Sequence, residues 1–126
     1  MIQIGSYLKV CDNSGIIKIK CFCILGKGKK ANGNIGDIIV GSIKEINPIT
    51  LKTTANYKKG DIIKAVIVSI NGIIKRSNYT LKYTNSNVVI INNQGLPLGT
   101  RINGIVFLEL RKKKMYRILS LAFFVL

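Results

Sequence analysis

The chain has 126 residues, the length of one ordinary domain, and 48% of them are apolar, so it can bury a core and a disordered chain is excluded. Ten cationic and four acidic residues lie within residues 1–63, and ten cationic and one acidic residue within residues 64–126, for a net charge of +15. Such a domain repels itself unless a polyanion neutralises it, so nucleic acid is the first candidate partner and an anionic membrane surface the second.

Residue types that catalyse reactions or bind metals are scarce. The chain has no His, and its five scattered acidic residues form no evident carboxylate pair, so we predict that it is not an enzyme. The spacing of Cys11, Cys21 and Cys23 matches no common zinc site, and we expect neither a metal nor another cofactor. Three cysteines also argue against a disulfide framework and for a reducing compartment.

The N-terminal third predicts two strands and a basic loop. YLKV at 7–10 is a candidate first strand, and a tight turn at 12–15 leads into a run that alternates in polarity. Alternation predicts that one face carries buried thiols and aliphatics (Ile17, Ile19, Cys21, Cys23, Leu25) and that the other carries two lysines followed by two apolar residues (Lys18, Lys20, Phe22, Ile24).

The loop that follows, GKGKKANGNIG at 26–36, is not a Walker motif, because its glycine spacing is wrong and no hydroxyl follows the lysine. By itself it could equally be a solvated loop. Next to Lys18 and Lys20, however, its lysines favour contact with phosphate (Lys27, Lys29, Lys30).

Three further strands are predicted at 35–46, 59–70 and 87–92, the first two each entered through Gly-Asp. Polar segments separate them at 47–59 and 76–86, the second as a candidate hairpin. This rhythm of β-branched runs and Gly/Asn turns is typical of a small barrel or sandwich. Aromatic residues are too sparse for a base-stacking platform, which favours the surface of a folded RNA as the ligand.

The segment 104–126 is rich in helix formers and predicts two short helices, near 104–111 and 114–121, docked on the barrel. Arg117 interrupts its apolar end, so we expect no membrane span, which needs about 20 apolar residues. Burial against the barrel or a partner is favoured over an interfacial helix. The cations at 111–114 suit either a helix C-terminus or RNA contact.

Several motifs in this order resemble the universal large-subunit ribosomal protein L-fourteen family over essentially the whole chain. They are MIQ at 1–3, Val10 with DNSG at 12–15, LG at 25–26, GDII at 36–39, IKE at 43–45, KKGD to KAVIV at 58–68, NN at 92–93, PLGTRI at 97–102, and Gly104 followed by LELR and ILSLA. Departures from the family pattern occur at Asn78-Tyr79, at Gly104-Ile105, at Phe123-Phe124 and in a longer segment at 47–57.

The resemblance implies a mainly β single domain: a closed five-stranded barrel over about 1–95, then a loop and an appendage of two short helices over about 96–126. It implies a structural constituent of the large subunit that binds large-subunit rRNA and neighbouring proteins of the L-three and L-nineteen types. It also implies an intersubunit bridge to small-subunit rRNA, near a surface on which a ribosome-silencing factor docks.

Charge and resemblance together predict two surfaces. The rRNA-binding surface comprises Lys9, Asn13, Ser14, Lys18, Lys20, Lys27, Lys29, Lys30, Lys58, Lys59 and Arg76. The bridge or silencing-factor surface comprises Thr100, Arg101, Arg111, Lys112, Lys113 and Lys114.

Two other function classes stay open: a free-standing single-strand-binding barrel and a basic membrane-surface protein. The abundance of Ile, Asn and Lys (23, 12 and 16 residues) indicates A/T-rich codons. We therefore expect a mitochondrial ribosome, with a plastid or the bacterial cytoplasm as alternatives.

Overall fold

The computed structural model describes residues 2–28, 30, 32–47 and 57–126. Lys29 and residues 48–56 of the predicted polar segment lie outside the described residues. In chain order the elements are β1 (Tyr7–Val10), β2 (Ile16–Ile24), β3 (Ile38–Ile46), β4 (Ile62–Ser69), β5 (Gly72–Lys75), β6 (Thr80–Tyr83), β7 (Asn87–Ile91), β8 (Ile102–Val106), a 3-10 helix (Leu108–Arg111), α1 (Tyr116–Leu121) and β9 (Ala122–Val125).

Five of these strands close into a barrel in the order β1-β2-β3-β4-β7. β1 and β7 pair in parallel and complete the closure, while the other barrel neighbours are antiparallel. The predicted closed five-stranded barrel is confirmed, and each of its strands coincides with a predicted one.

The core has two parts, one inside the barrel and one outside it. The interior is filled mainly by Leu, Ile and Val side chains, with Cys21 fully buried among them. The second cluster lies where the outer faces of β4 and β7 pack against Ile102, Phe107 and Leu110. Because β4 and β7 are covered on both faces, their sequences are nearly continuous apolar runs, whereas β1, β2 and β3 alternate more clearly.

The predicted alternation of β2 is correct in its middle and wrong at its ends. Pairing with β3 shifts register three times, and each shift is a bulge or irregularity that changes which side chains face the interior. Ile16 and Ile24 are therefore buried, while Ile17 and Leu25 are exposed. Cys23 is half-buried rather than fully in the core.

The appendage differs from the predicted helix pair. Residues 102–106 form β8, which pairs in parallel with β9, so the prediction of a helix beginning near 104 is wrong. A parallel pair needs a crossover connection, which the 3-10 helix and α1 provide. Pairing between segments this far apart overrides local helix propensity. Among the described residues, no helix combines the length and the apolar character that crossing a bilayer requires.

The segment between β4 and β7 contains a two-stranded hairpin of β5 and β6. The predicted hairpin over 76–86 is confirmed in kind, but its first strand begins earlier, at Gly72. The Tyr83 ring packs edge-to-face on Phe107, with ring centroids 5.4 Å apart, and this contact joins the hairpin to the appendage.

Candidate nucleic-acid interface

The outer surface of β1 and β2 carries a cluster of lysines around one tyrosine, which we call the open face (Tyr7, Lys9, Lys18, Lys20). In the antiparallel register Lys9 lies opposite Lys18, and Tyr7 lies opposite Lys20. The Nζ atoms of Lys18 and Lys20 lie 5.3 and 5.5 Å from the centroid of the Tyr7 ring, which is 56% exposed. Like charges directly opposite in a sheet are destabilising, and one aromatic ring compensates them only in part.

Among the described residues, the lysines of the open face form no ion pair within 4.0 Å. The nearest acidic residue in the sheet is Glu45, the cross-strand neighbour of Lys18, yet the ion pairs within 4.0 Å among the described residues involve other side chains. Three ammonium groups on a rigid sheet are thus available to an external anion. This arrangement suits phosphate binding.

Four of the five acidic residues serve the fold. Asp37 and Glu109 form ion pairs, Asp61 accepts a hydrogen bond from the backbone N–H of Lys58, and Asp12 accepts internal hydrogen bonds. The acidic side chains therefore offset few of the surface cations. The positive excess stays on the surface.

The DNSG turn at 12–15 is hydrogen-bonded to β7 and to the loop that contains Thr100. One carboxylate oxygen of Asp12 accepts the backbone N–H and the hydroxyl of Ser14, and the other accepts the N–H of Ile90, 3.0 Å away. Burial raises the pKa of Asp12, although these hydrogen bonds act in the opposite direction. Ser14 is itself buried and its hydroxyl donates to Asp12, while its predicted RNA contact stays a prediction.

Asn13 connects the DNSG turn to the loop that contains Thr100 and Arg101. Its Nδ2 donates to the Thr100 hydroxyl at 2.8 Å, and its Oδ1 accepts the backbone N–H groups of both loop residues. A Cβ at Gly99 would lie 2.6 Å from Asn13 Oδ1, so only glycine fits there without a shift. Both polar atoms of the Asn13 side chain are therefore hydrogen-bonded within the protein, while Thr100 and Arg101 are exposed.

The loop lysines are only partly available. Lys27 Nζ lies 2.8 Å from Asp37 Oδ2 and donates to the carbonyl of Asn32, and Lys113 Nζ lies 4.0 Å from the other Asp37 oxygen. Burial alone would raise the pKa of Asp37, but the hydrogen bond and charge of Lys27, with Asn34 N–H and Lys113, hold it below its ordinary value. Lys30 is exposed.

Arg76, another predicted RNA contact, lies against the appendage. Its Nε and one terminal nitrogen donate to the two Glu109 oxygens, each at 3.0 Å, and its remaining donors reach the Tyr79 hydroxyl and the Leu126 carbonyl. The bond to Glu109 is the main cause that raises the pKa of Arg76. Lys58 and Lys59 are exposed, in the turn before β4.

The cations from Arg111 to Lys114 are all exposed. Arg111 ends the 3-10 helix, and the three lysines precede α1, with Lys114 in the left-handed region at φ 57°. Arg111 lies in the last turn of the 3-10 helix and Lys112 is its C-terminal cap residue, a placement that a helix dipole favours, whereas Lys113 and Lys114 lie between the two helices. Arg111, Lys112 and Lys114 have no ion pair within 4.0 Å among the described residues, whereas Lys113 approaches Asp37.

The described residues contain no group of three or more His, Cys, Asp or Glu side chains placed to hold a metal. Burial raises the pKa of the Cys11 thiol to about 12, so at neutral pH it is a protonated packing group. The sequence analysis did not identify Tyr7 as a site residue. Tyr7 precedes Lys9 by two residues in β1, and strand alternation places both side chains on the same face.

One comparison with known proteins bears on this chain. The family model described as Ribosomal protein L14p/L23e matches residues 1–126, the whole of the sequence given.

Proposed function

The chain belongs to the ribosomal protein L14p/L23e family, whose members have a structural role in the large ribosomal subunit, and from this premise we propose that its open face binds large-subunit rRNA. The observation that carries the proposal is the set of three lysines on paired strands without an acidic partner among the described residues. Phosphates would supply the missing counter-charge. Lys30, Lys58 and Lys59 are also exposed and are proposed as further rRNA contacts.

The test compares two double variants with equal charge loss. Lys18→Ala with Lys20→Ala removes two open-face lysines, and Lys75→Ala with Lys82→Ala removes two exposed lysines of the β5–β6 hairpin. Binding to a large-subunit rRNA transcript is measured as a function of salt. Each lost phosphate contact reduces the slope of log K against log salt by about 0.7–0.9, so the open-face variant should lose about 1.4–1.8 and the hairpin variant much less.

Equal changes of slope in the two variants would contradict the proposal, since net charge alone would then explain binding. Absence of binding to rRNA by the unmodified protein would contradict it more strongly. Circular dichroism of each variant serves as the control for folding.

We propose a second contact, with small-subunit rRNA at the intersubunit bridge, through Arg101 and the cations at 111–114. Its support is their exposure and, for Arg111, Lys112 and Lys114, the absence of an ion pair within 4.0 Å among the described residues. The same surface would accept a ribosome-silencing factor. Proteins of the L-three and L-nineteen types are the proposed neighbours in the subunit, and a mitochondrial ribosome is the proposed location.

A single-strand-binding barrel and a membrane-surface protein are the competing functions. The first should bind homopolymers as tightly as structured rRNA, although the open face presents only one tyrosine among its lysines. The second should float with anionic liposomes. Co-sedimentation with the large subunit at moderate salt supports the ribosomal function against both.

A further inference from the structure

A polar cleft lies beside the open face, where β1, β7, the end of β6 and the start of β8 meet. Its volume is about 310 Å³, and side chains that can donate or accept hydrogen bonds dominate its lining (Lys9, Tyr83, Asn85, Asn87, Asn103). This volume is at the lower limit of pockets that hold small organic ligands. The cleft is therefore large enough for one planar, polar group.

Asn87 is the least expected residue in the cleft. It is 5% exposed and begins β7, whose other four residues are buried aliphatics, although asparagine is depleted in strands. Among the described residues its side chain makes one hydrogen bond, from Nδ2 to the Tyr83 hydroxyl at 3.3 Å. Its amide oxygen thus keeps the capacity to accept from a ligand.

The backbone keeps this space open. A Cβ at Gly104 would lie 2.8 Å from Cys11 Cβ and 3.5 Å from Asn87 Nδ2, so any side chain there would crowd the wall. Asp12 also lines the cleft, but Ser14 and Ile90 donate to its two carboxylate oxygens. The carboxylate is thus held by internal donors, and Lys9 brings the positive charge of the open face to the cleft.

We propose that the cleft receives the base of one unpaired RNA nucleotide, with Lys9 contacting its phosphate. Asparagine amides pair donor and acceptor on one group, as the edges of nucleobases do, and recognition of RNA sequence commonly uses splayed-out bases. A peptide arm would need an apolar groove or an unpaired strand edge, and here β1 and β7 are hydrogen-bonded to each other. This inference rests on the proposed rRNA binding and adds the group that is recognised.

The test uses NMR of the ¹⁵N-labelled full chain, titrated with each of the four nucleoside 5′-monophosphates. Ribose 5-phosphate, which carries the phosphate without a base, is the matched ligand. For at least one nucleotide we expect saturable shifts of the Asn85 and Asn87 side-chain amides, with an affinity about fivefold or more above that of ribose 5-phosphate.

Asn85→Ala should remove this difference, and Asn78→Ala, an exposed asparagine in the turn of the neighbouring hairpin, should preserve it. Both positions are on the surface, and the backbone spectrum of each variant verifies its fold. Equal affinities for all four nucleotides and for ribose 5-phosphate would overturn the proposal. If rRNA binding and its salt dependence persist in that case, the nucleotide pocket fails and the proposed function stands.

Discussion

The two sides of the barrel contrast in what covers them. The outer faces of β4 and β7 lie under the appendage and contribute fully buried Val66, Val68 and Val89 to the second core cluster. The outer faces of β1 and β2 are uncovered and carry the lysines of the open face. One side of the closed sheet therefore contributes to the hydrophobic core, and the other side presents lysines to solvent.

This contrast also separates two kinds of cation. Arg76, Lys27 and Lys113 are held by Glu109 or Asp37 and connect segments of the chain to each other. The lysines of the open face form no ion pair within 4.0 Å among the described residues, and Lys18 and Lys20 approach only the Tyr7 ring. Net charge suggests a polyanionic partner, but the position of each acidic residue decides which cations are available to it.

The largest effect on the free energy of unfolding is expected where the appendage covers β4 and β7. Phe107→Ala removes a fully buried ring that also contacts Tyr83, and it should lower the free energy of unfolding by about 3–5 kcal/mol. Tyr7→Ala on the open face should change it by less than about 1 kcal/mol, because the ring is more than half exposed. Urea denaturation checks both, and comparable losses would remove the distinction between the two sides.

The second largest effect is expected at the hydrogen bonds between the DNSG turn and the 97–101 loop. Asn13→Ala removes three side-chain hydrogen bonds to Thr100 and Arg101 and should cost about 1–3 kcal/mol. Hydrogen exchange at the Thr100 and Arg101 amides should accelerate, since both donate to Asn13. Unchanged exchange at these two amides would show that the loop is held by other contacts.

A smaller effect on stability is expected at Asp37, which forms ion pairs with Lys27 and Lys113. Because the pKa of Asp37 is lowered in the folded protein, its ionised form stabilises the fold above the unfolded value of 3.8. Asp37→Asn should therefore cost about 1 kcal/mol at neutral pH. The difference from the unmodified protein should shrink as pH falls below about 3.8 and vanish only below the lowered pKa of Asp37 in the folded protein, and a difference that stays constant through this range would contradict the assignment.

The smallest effect is expected on the open face itself without RNA. Replacement of Lys18 and Lys20 by Ala should leave the free energy of unfolding within about 0.5 kcal/mol, because it removes repulsion and surface contacts together. Thermal unfolding at low salt measures this. A loss above about 2 kcal/mol would mean that these lysines serve the fold, and the binding result for this variant would then lose its meaning.

The sequence predicted the barrel well because its five strands carry a strong local signal. Runs such as NVVII at 87–91 and the Gly-Asp entries before β3 and β4 specify strands and turns through nearby residues. The cationic face was also predictable, since Lys18 and Lys20 alternate with buried Ile19 and Cys21. Period-2 patterning is sufficient where one face is buried and the other is open.

Features that depend on distant residues were not predictable in this way. β8 is a strand because it pairs with β9 around a crossover, although residues 104–111 are rich in helix formers. The bulges in β2 reverse the orientation of Ile17, and the bond from Arg76 to Glu109 spans 33 residues. From the sequence, Ser14 resembles a surface turn residue, but in the structure it is buried. The Asp12 carboxylate to which it donates also accepts a hydrogen bond from the backbone N–H of Ile90, 78 residues from Asp12.

The central claim is that the open face meets phosphate. A cryo-EM map of a large subunit that contains this protein measures it directly, through the distances from the Nζ atoms of Lys9, Lys18 and Lys20 to their nearest neighbours. We expect rRNA phosphate oxygens within hydrogen-bonding distance, about 2.7–3.2 Å, of at least two of these three atoms. Solvent, or the carboxylates of a neighbouring protein, at all three positions would contradict the account.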